Sequence, residues 1–126
     1  MDTLELKREQ LKLAPRIVLR DSFSRVNTIG GADWAQVEDK LIACVTVCEY
    51  PSLKFKEEAT FVLHNPLPYK PGFLSYRAMP AIIEAFNKLS EEPDLLIVKG
   101  NGILHPRKIG IASHVGLALN QSTIGV

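Results

Sequence analysis

The chain has 126 residues, of which 46% are hydrophobic, and a formal net charge of +1. This length and composition suit one globular domain, and the near-neutral charge excludes recognition of a partner by bulk charge alone. No apolar run approaches the ~20 residues of a membrane span, and the charged N-terminus MDTLELKREQLKL differs from a signal peptide. We therefore expect a single cytoplasmic domain over residues 1–126.

The first half of the chain predicts one helix and then three antiparallel strands. Leu4, Leu6, Leu11 and Leu13 are interspersed with charges, which predicts a short amphipathic helix over 2–13. Short polar breaks separate the following apolar runs and favour a meander. The segments are an irregular stretch over 16–27 and strands over 28–39, 40–50 and 53–64.

The two cysteines of the chain, Cys44 and Cys48, lie four residues apart in the second predicted strand. That spacing places them ~13 Å apart on one face of a strand. A disulfide needs Cα atoms ~4.4–6.8 Å apart, so we expect two buried free thiols.

The second half predicts strands that alternate with helices. NPLPYKPG, residues 65–72, contains three prolines and predicts a rigid, exposed loop. Strands joined through helices pair in parallel, so the element order predicts an α/β fold: a mixed sheet of about five strands with ribonuclease H-like topology. The apolar end TIGV indicates the front part either of a longer ancestral domain or of a longer protein. The remaining elements are helices over 78–90 and 109–120 and strands over 93–100 and 122–126.

Asp33 interrupts an otherwise uncharged strand, IGGADWAQ. A buried, unpaired carboxylate would be costly there. The residue is therefore interpreted either as a metal-binding carboxylate on the sheet or as a solvent-facing strand residue, and the strand alone does not choose between the two.

Tyr69 lies in the proline-rich loop beside two cations, Lys70 and Arg77. A rigidly held tyrosine can stack on bases or wedge between them, and the cations can contact phosphates. An ordinary surface turn is the alternative interpretation.

KGNGILHPR follows the fourth predicted strand and carries a Gly-x-Gly loop and His105. Glycine lets the backbone approach a ligand closely, and a histidine at this place could bind phosphate, bind a metal or move protons. His114 falls on the next predicted helix, near its packed face, where a structural histidine is the commoner explanation.

The segments IGGADWAQ, PYKPGFLSYR, PDLLIVKGNGILHPRKIGIASHVG and STIGV together resemble the endonuclease V family, which cuts DNA or RNA near deaminated purines such as inosine. The resemblance runs from about Thr28 to Val126. It implies a ribonuclease H-like sheet that holds Mg²⁺ between acidic residues, where the metal activates water and stabilises charge on the scissile phosphate. Asp33 matches the family's first-strand aspartate.

The resemblance also implies how substrate is bound. Residues 68–71 match a Pro-Tyr-Ile-Pro wedge, with Lys70 in place of isoleucine, and the loop 100–102 matches the pocket for a flipped base, with Asn101 where glutamine is usual. The implied substrate-binding residues are Pro68, Tyr69, Lys70, Pro71, Gly72, Arg77, Gly100, Asn101, Gly102, His105, Arg107 and His114.

Two positions depart from the family at the chemistry itself. Ala78 replaces a catalytic glutamate and Lys99 replaces a catalytic aspartate, and later family residues lie past the end of this chain. Two unit charges ~4 Å apart interact by about 4 kcal/mol at an effective dielectric near 20, so Lys99 should repel Mg²⁺ and pair with Asp33. We therefore predict poor Mg²⁺ binding.

The leading hypothesis is an endonuclease V-like protein that binds nucleic acid but is catalytically impaired or inactive. In it, Arg77, Lys99 and Arg107 would contact phosphates. One alternative is an active Mg²⁺-dependent endonuclease completed by a homo-oligomer through the open edge after Val126. Another is a non-enzymatic oligomerising interaction module.

Overall fold

The chain folds as a mixed α/β domain in a computed structural model that describes residues 2–126. A short 3-10 turn over Ala14–Arg16 and an irregular segment separate the first helix from the sheet. The helices are α1 (Thr3–Leu13), α2 (Leu74–Phe86) and α3 (Ile111–Leu119), and the strands are β1 (Thr28–Val37), β2 (Lys40–Glu49), β3 (Phe55–His64), β4 (Leu95–Val98) and β5 (Thr123–Gly125).

The five strands form one mixed sheet in the order β3-β2-β1-β4-β5. β1, β2 and β3 pair antiparallel, whereas β4 pairs parallel with both β1 and β5. α2 connects β3 to β4, and α3 connects β4 to β5. The predicted order of antiparallel and parallel strands is confirmed, and it places the carboxyl end of β4 directly beside β1.

The hydrophobic core lies on one face of this sheet, beneath α2 and α3. Alternate residues of β1, β2 and β4 point to the helices, as the period of two in a strand requires. Ala78, Ala81 and Ala85 have small side chains that let α2 approach the sheet closely. The cluster comprises Ala32, Leu41, Ala43, Val45, Ala78, Ala81, Ile82, Ala85, Phe86, Leu96, Val98, Ile111, Ala112 and Val115.

The opposite face of the sheet, called the open face below, bears no side chain of that core cluster. It presents apolar side chains from β1, β2, β3, β4 and β5: Ile29, Ile42, Cys44, Cys48, Val62, Ile97 and Ile124. Val62 is 42% and Ile124 48% exposed. The two cysteines are free but half-buried, not buried as predicted, because they belong to this face.

Some predicted boundaries are wrong for local reasons. β1 ends at Val37 because Glu38, at φ 56°, turns the chain into β2. β4 ends at Val98, so Lys99 lies just beyond the strand. α2 begins four residues earlier than predicted, at Leu74, and the last apolar residue of the predicted pattern, Leu89, packs against the core from a turn after the helix.

The amphipathic face of α1 also differs from the prediction. The inward residues are Leu6, Gln10 and Leu13, at the i, i+4, i+7 spacing of one helix face. Leu4 and Leu11 are more than half exposed. Over residues 2–126, each of the three helices falls short of the length and apolar character that crossing a bilayer demands.

Candidate functional site

Asp33 and Lys99 form an ion pair where β1 and β4 lie side by side. Lys99 Nζ is 2.8 Å from Asp33 Oδ1, and the Lys99 backbone N–H donates to the Ala32 carbonyl at 3.2 Å. The hydrogen bond from Lys99 is the main cause that lowers the pKa of Asp33, aided by the Trp34 N–H at 2.7 Å. Both side chains are more than half exposed, so Asp33 is a solvent-facing strand residue held in a charge pair.

Trp34 holds the other side of Lys99. The ammonium lies 4.8 Å from the centroid of the indole ring and donates to the Trp34 carbonyl at 3.1 Å. The indole quadrupole attracts a cation in this position. Sequence reasoning missed Trp34, although an aromatic residue next to a strand carboxylate was a visible signal.

The residues around Asp33 do not fit a Mg²⁺ ion. Mg²⁺ prefers hard oxygen ligands and one or two carboxylates, whereas the Asp33 carboxylate is neutralised by Lys99. Ala78 is fully buried in the core and supplies only a methyl group. Among the residues that the structure describes, no cluster of three or more His, Cys, Asp and Glu side chains is suited to holding a metal.

The proline-rich loop presents its aromatic residue to solvent. Tyr69 is 60% exposed, and Pro68, Lys70 and Pro71 are exposed around it. Arg77, from the first turns of α2, donates from Nη1 to the Leu67 carbonyl at 2.6 Å. This guanidinium therefore fixes the loop that carries Tyr69.

The loop between β4 and α3 is built on backbone contacts. Gly100 has φ +128°, and a Cβ there would lie 2.3 Å from Cγ2 of Ile111, so only glycine fits. The carbonyls of Asn101 and Gly102 accept hydrogen bonds from the N–H groups of Ala112 and Gly110, at 3.0 and 2.7 Å. The Asn101 backbone is thereby fixed, while the residue remains exposed.

A small cavity of about 140 Å³ lies between the proline-rich loop and this β4–α3 loop. The two loops that the sequence singled out are therefore brought together. The cavity is lined by Gly72, Leu74, Ser75, Asn101, Leu104, His105, Pro106, Ile109, Gly110 and Ile111. A larger open hollow of about 500 Å³ lies at the opposite end of the sheet, near Thr28 and Tyr50, and includes no predicted site residue.

His105 and Arg107 connect the two loops through Gly72. His105 Nε2 lies 2.8 Å from the Gly72 carbonyl oxygen, and Arg107 Nη2 donates to the same oxygen at 3.2 Å. His105 Nδ1 accepts from the backbone N–H groups of Arg107 and Ile109, so the imidazole donates from Nε2. Both side chains are engaged inside the protein, and neither is directed to a phosphate.

His114 lies in the interior, on α3, and is 4% exposed. Its Nδ1 is 2.7 Å from Ser75 Oγ on α2, and the edge of Tyr76 packs against its ring. Burial lowers the pKa of His114, because desolvation disfavours the charged imidazole. This histidine joins two helices and has no exposed surface for substrate.

A mixed sheet with a charged pair where the carboxyl end of β4 meets the middle of β1, together with two loops around a cavity, defines a domain of the ribonuclease H-like class. An endonuclease V from Streptomyces avermitilis superposes with a TM-score of 0.92 at 31% identity, over 98% of this chain and 56% of that chain. The catalytic domain of human endonuclease V superposes with a TM-score of 0.86 at 33% identity, over 94% of this chain and 55% of that one.

The sequence comparisons identify the family. The endonuclease V family model matches residues 11–126, and an endonuclease V from Dictyoglomus thermophilum is 40% identical over 121 residues, which is 96% of this chain and 53% of the relative. The chain belongs to the endonuclease V family. It spans about half the length of the curated relatives it matches.

A further relative is known bound to nucleic acid. Endonuclease V from Ciona intestinalis (D234N) has been crystallised with a 23mer DNA containing an inosine followed by a ribo-adenosine. It superposes with a TM-score of 0.89 at 29% identity, over 98% of this chain and 56% of that chain.

Proposed function

We propose that this chain binds nucleic acid at inosine or a related deaminated purine and does not hydrolyse it by the metal-dependent route of its family. The observation that carries the proposal is the 2.8 Å contact between Lys99 Nζ and Asp33 Oδ1. It places a cation where the resemblance implies a metal-binding aspartate. A fixed ammonium can attract a phosphate, but it supplies no activated water.

Two features outside the Asp33–Lys99 pair support binding. The exposed ring of Tyr69 is available for stacking on a base, and the small cavity is lined by Gly72 of the proline-rich loop and by Asn101 of the β4–α3 loop. The DNA complex of the Ciona relative, with its inosine, adds support from similarity. Base stacking on an aromatic side chain contributes ~1–3 kcal/mol.

The cations divide into two groups. Lys70 and Lys99 are exposed and are the proposed phosphate contacts; Lys99, although paired with Asp33 and Trp34, keeps 52% of its side chain accessible. Arg77 and Arg107 already donate to backbone carbonyls of the proline-rich loop. We therefore propose that these two arginines shape the site and that the lysines provide its salt-dependent affinity.

The test is a fluorescence anisotropy titration with two labelled oligonucleotides that differ only in carrying inosine or adenosine at one position. We expect tighter binding of the inosine strand and a loss of affinity with salt. Tyr69→Ala should reduce affinity by about tenfold, as expected for one lost stacking contact. Tyr50→Ala removes a tyrosine 49% exposed at the far end of the sheet and should leave affinity unchanged.

Two results would contradict the proposal. Binding to the inosine strand no tighter than to heparin, an unrelated acidic polymer, would remove the nucleic-acid function. Nicking of that strand with Mg²⁺ or Mn²⁺, abolished by Asp33→Ala, would show instead an active endonuclease, such as one completed by a second subunit.

The open face favours a second candidate, a homo-oligomer. Five strands ~4.8 Å apart, with rises of ~3.3 Å per residue, give this face a projected area on the order of 500 Å². That is comparable to the ~800 Å² of accessible surface that each partner contributes to a standard interface. Asp33 lies on this face and forms an ion pair of zero net charge with Lys99, so two copies would not repel there, and we propose self-association through this face as the alternative to nucleic-acid binding by Lys99.

A further inference from the structure

The carbonyl of Gly72 receives hydrogen bonds from three side chains, two on the β4–α3 loop and one on α1. His105 Nε2 approaches it at 2.8 Å, Arg107 Nη2 at 3.2 Å, and Nε2 of Gln10, on α1, at 2.9 Å. Gly72 has φ +87°, and a Cβ at this position would lie 2.6 Å from Arg107 Nη2. The three donors therefore converge on a backbone group that only glycine can present.

Gln10 closes this network. Its side-chain oxygen accepts from Arg107 Nε while its amide nitrogen donates to Gly72. The residue is fully buried and is the one buried side chain on α1. A glutamine among inward-facing leucines costs free energy unless both ends of its amide are paired, and here both are paired across the two loops.

Arg107 is held on its other side by an aromatic ring. Its guanidinium carbon lies 4.8 Å from the centroid of Phe73, the buried residue immediately before α2. Gln10 thus joins α1 to the β4–α3 loop through Arg107 and to the proline-rich loop through Gly72. Both loops line the small cavity, and Gly72 and His105 belong to its wall.

We propose that Gln10 is a positioning residue that fixes the separation of the two loops and thereby determines which base the cavity accepts. The inference about selectivity rests on the proposed nucleic-acid binding, whereas the inference about loop position does not. Gln10 is too deeply buried to contact nucleic acid, so it acts through Gly72 and Arg107.

The experiment compares Gln10→Leu, Gln10→Glu and Gln36→Leu. Leucine removes both hydrogen bonds, whereas glutamate keeps the acceptor for Arg107 and loses the donor to Gly72. Gln36 is an exposed glutamine on β1 that bonds only to the turn after it and serves as the matched control. Helical circular dichroism verifies that each variant is folded.

The first measurement is amide hydrogen exchange by mass spectrometry. In Gln10→Leu we expect exchange of the Phe73 amide, which donates to the Lys70 carbonyl, and of the hydrogen-bonded amides in 105–110 to accelerate by about tenfold or more, since local opening governs exchange of such amides. Gln10→Glu should show a smaller change in 105–110, and Gln36→Leu none. Unchanged exchange in both loops of folded Gln10→Leu would overturn the proposal. If Gln10→Leu does not fold, Gln10→Glu decides by the same criterion.

The second measurement is the affinity ratio for the inosine and adenosine oligonucleotides. We expect Gln10→Leu to lower this ratio toward one. Faster loop exchange with an unchanged ratio would overturn the selectivity role. Absence of binding by the unsubstituted protein would overturn the proposed function instead, and the exchange measurement would still decide the positioning role.

Discussion

At the scale of single residues, Lys99 is the cation at the position where the family resemblance implies a metal-binding aspartate. It is bound by a carboxylate, a carbonyl and an aromatic ring, contributed by Asp33 and Trp34. Exposed ion pairs of this kind stabilise a fold by only ~0.2–1 kcal/mol. The pair therefore contributes little to stability.

We expect Lys99→Asp to create Mg²⁺ or Mn²⁺ binding, because it adds a second carboxylate beside Asp33 and removes the competing ammonium. Isothermal titration calorimetry should detect metal binding in this variant, and added metal should raise its Tm by relieving carboxylate repulsion. Lys54→Asp, which makes the same charge change at an exposed turn, is the control. Equal metal binding by the two variants would contradict the assignment of the site.

At the scale of elements, the contact between α2 and α3 depends on a buried pair of polar groups. Ser75 and His114 lie 2.7 Å apart, both nearly inaccessible to solvent. Because burial lowers the pKa of His114 below its ordinary value of 6.5, the imidazole is neutral in the folded protein and accepts a proton more readily when unfolded. Folding therefore becomes less favourable as the pH falls below 6.5.

This pKa difference between the folded and unfolded states predicts that the free energy of unfolding decreases as the pH is lowered. Urea denaturation between about pH 7 and pH 5 measures it. His114→Gln keeps a partner for Ser75 but cannot titrate. We expect its free energy of unfolding to fall less over this interval than that of the unsubstituted protein, by up to ~1.4 kcal/mol for each pH unit. His64→Gln, at an exposed position on β3, should behave as the unsubstituted protein does. Identical pH profiles for all three proteins would show that His114 does not contribute.

At the scale of the whole molecule, the sheet is covered by helices on one face only within the described residues. Large sheets with parallel strands usually bury both faces, and here half-exposed side chains from all five strands form the open face. Burial contributes about 25 cal/mol per Å² of apolar surface, so association through this face is favourable in proportion to the area it removes from water.

We expect sedimentation velocity to show a dimer that dissociates on dilution. Val62→Lys or Ile124→Lys should shift the protein to monomer, because each places a charge at an exposed apolar position of the open face. Leu11→Lys, which alters an exposed leucine on α1, should leave the dimer intact. A monomeric unsubstituted protein, or dissociation by all three substitutions alike, would contradict an interface on this face.

The sequence by itself determined the order and type of the elements around the sheet. Periods of two and of 3.6 residues, together with turn residues, are local signals, and a strand–helix–strand order leaves few topologies. The pairing of Asp33 with Lys99 was predicted through the family resemblance, which implies that both residues lie at the metal site, where opposite charges attract. The predicted bounds of β1 and α2 were wrong because Glu38 has a positive φ and because Pro80 lies inside α2, and the local pattern indicated neither.

Only the tertiary structure decided what several polar residues do. Arg77, His105, Arg107 and His114 have the composition of a phosphate-binding set, yet each is engaged within the protein. Nothing in the sequence indicated the role of Gln10, which is simply a polar residue on the apolar face of α1. The physical reason is that a side-chain donor bonds to whichever acceptor the fold brings close to it. For Gln10, His105 and Arg107 that acceptor is the Gly72 carbonyl, which lies 33 or more residues away in sequence.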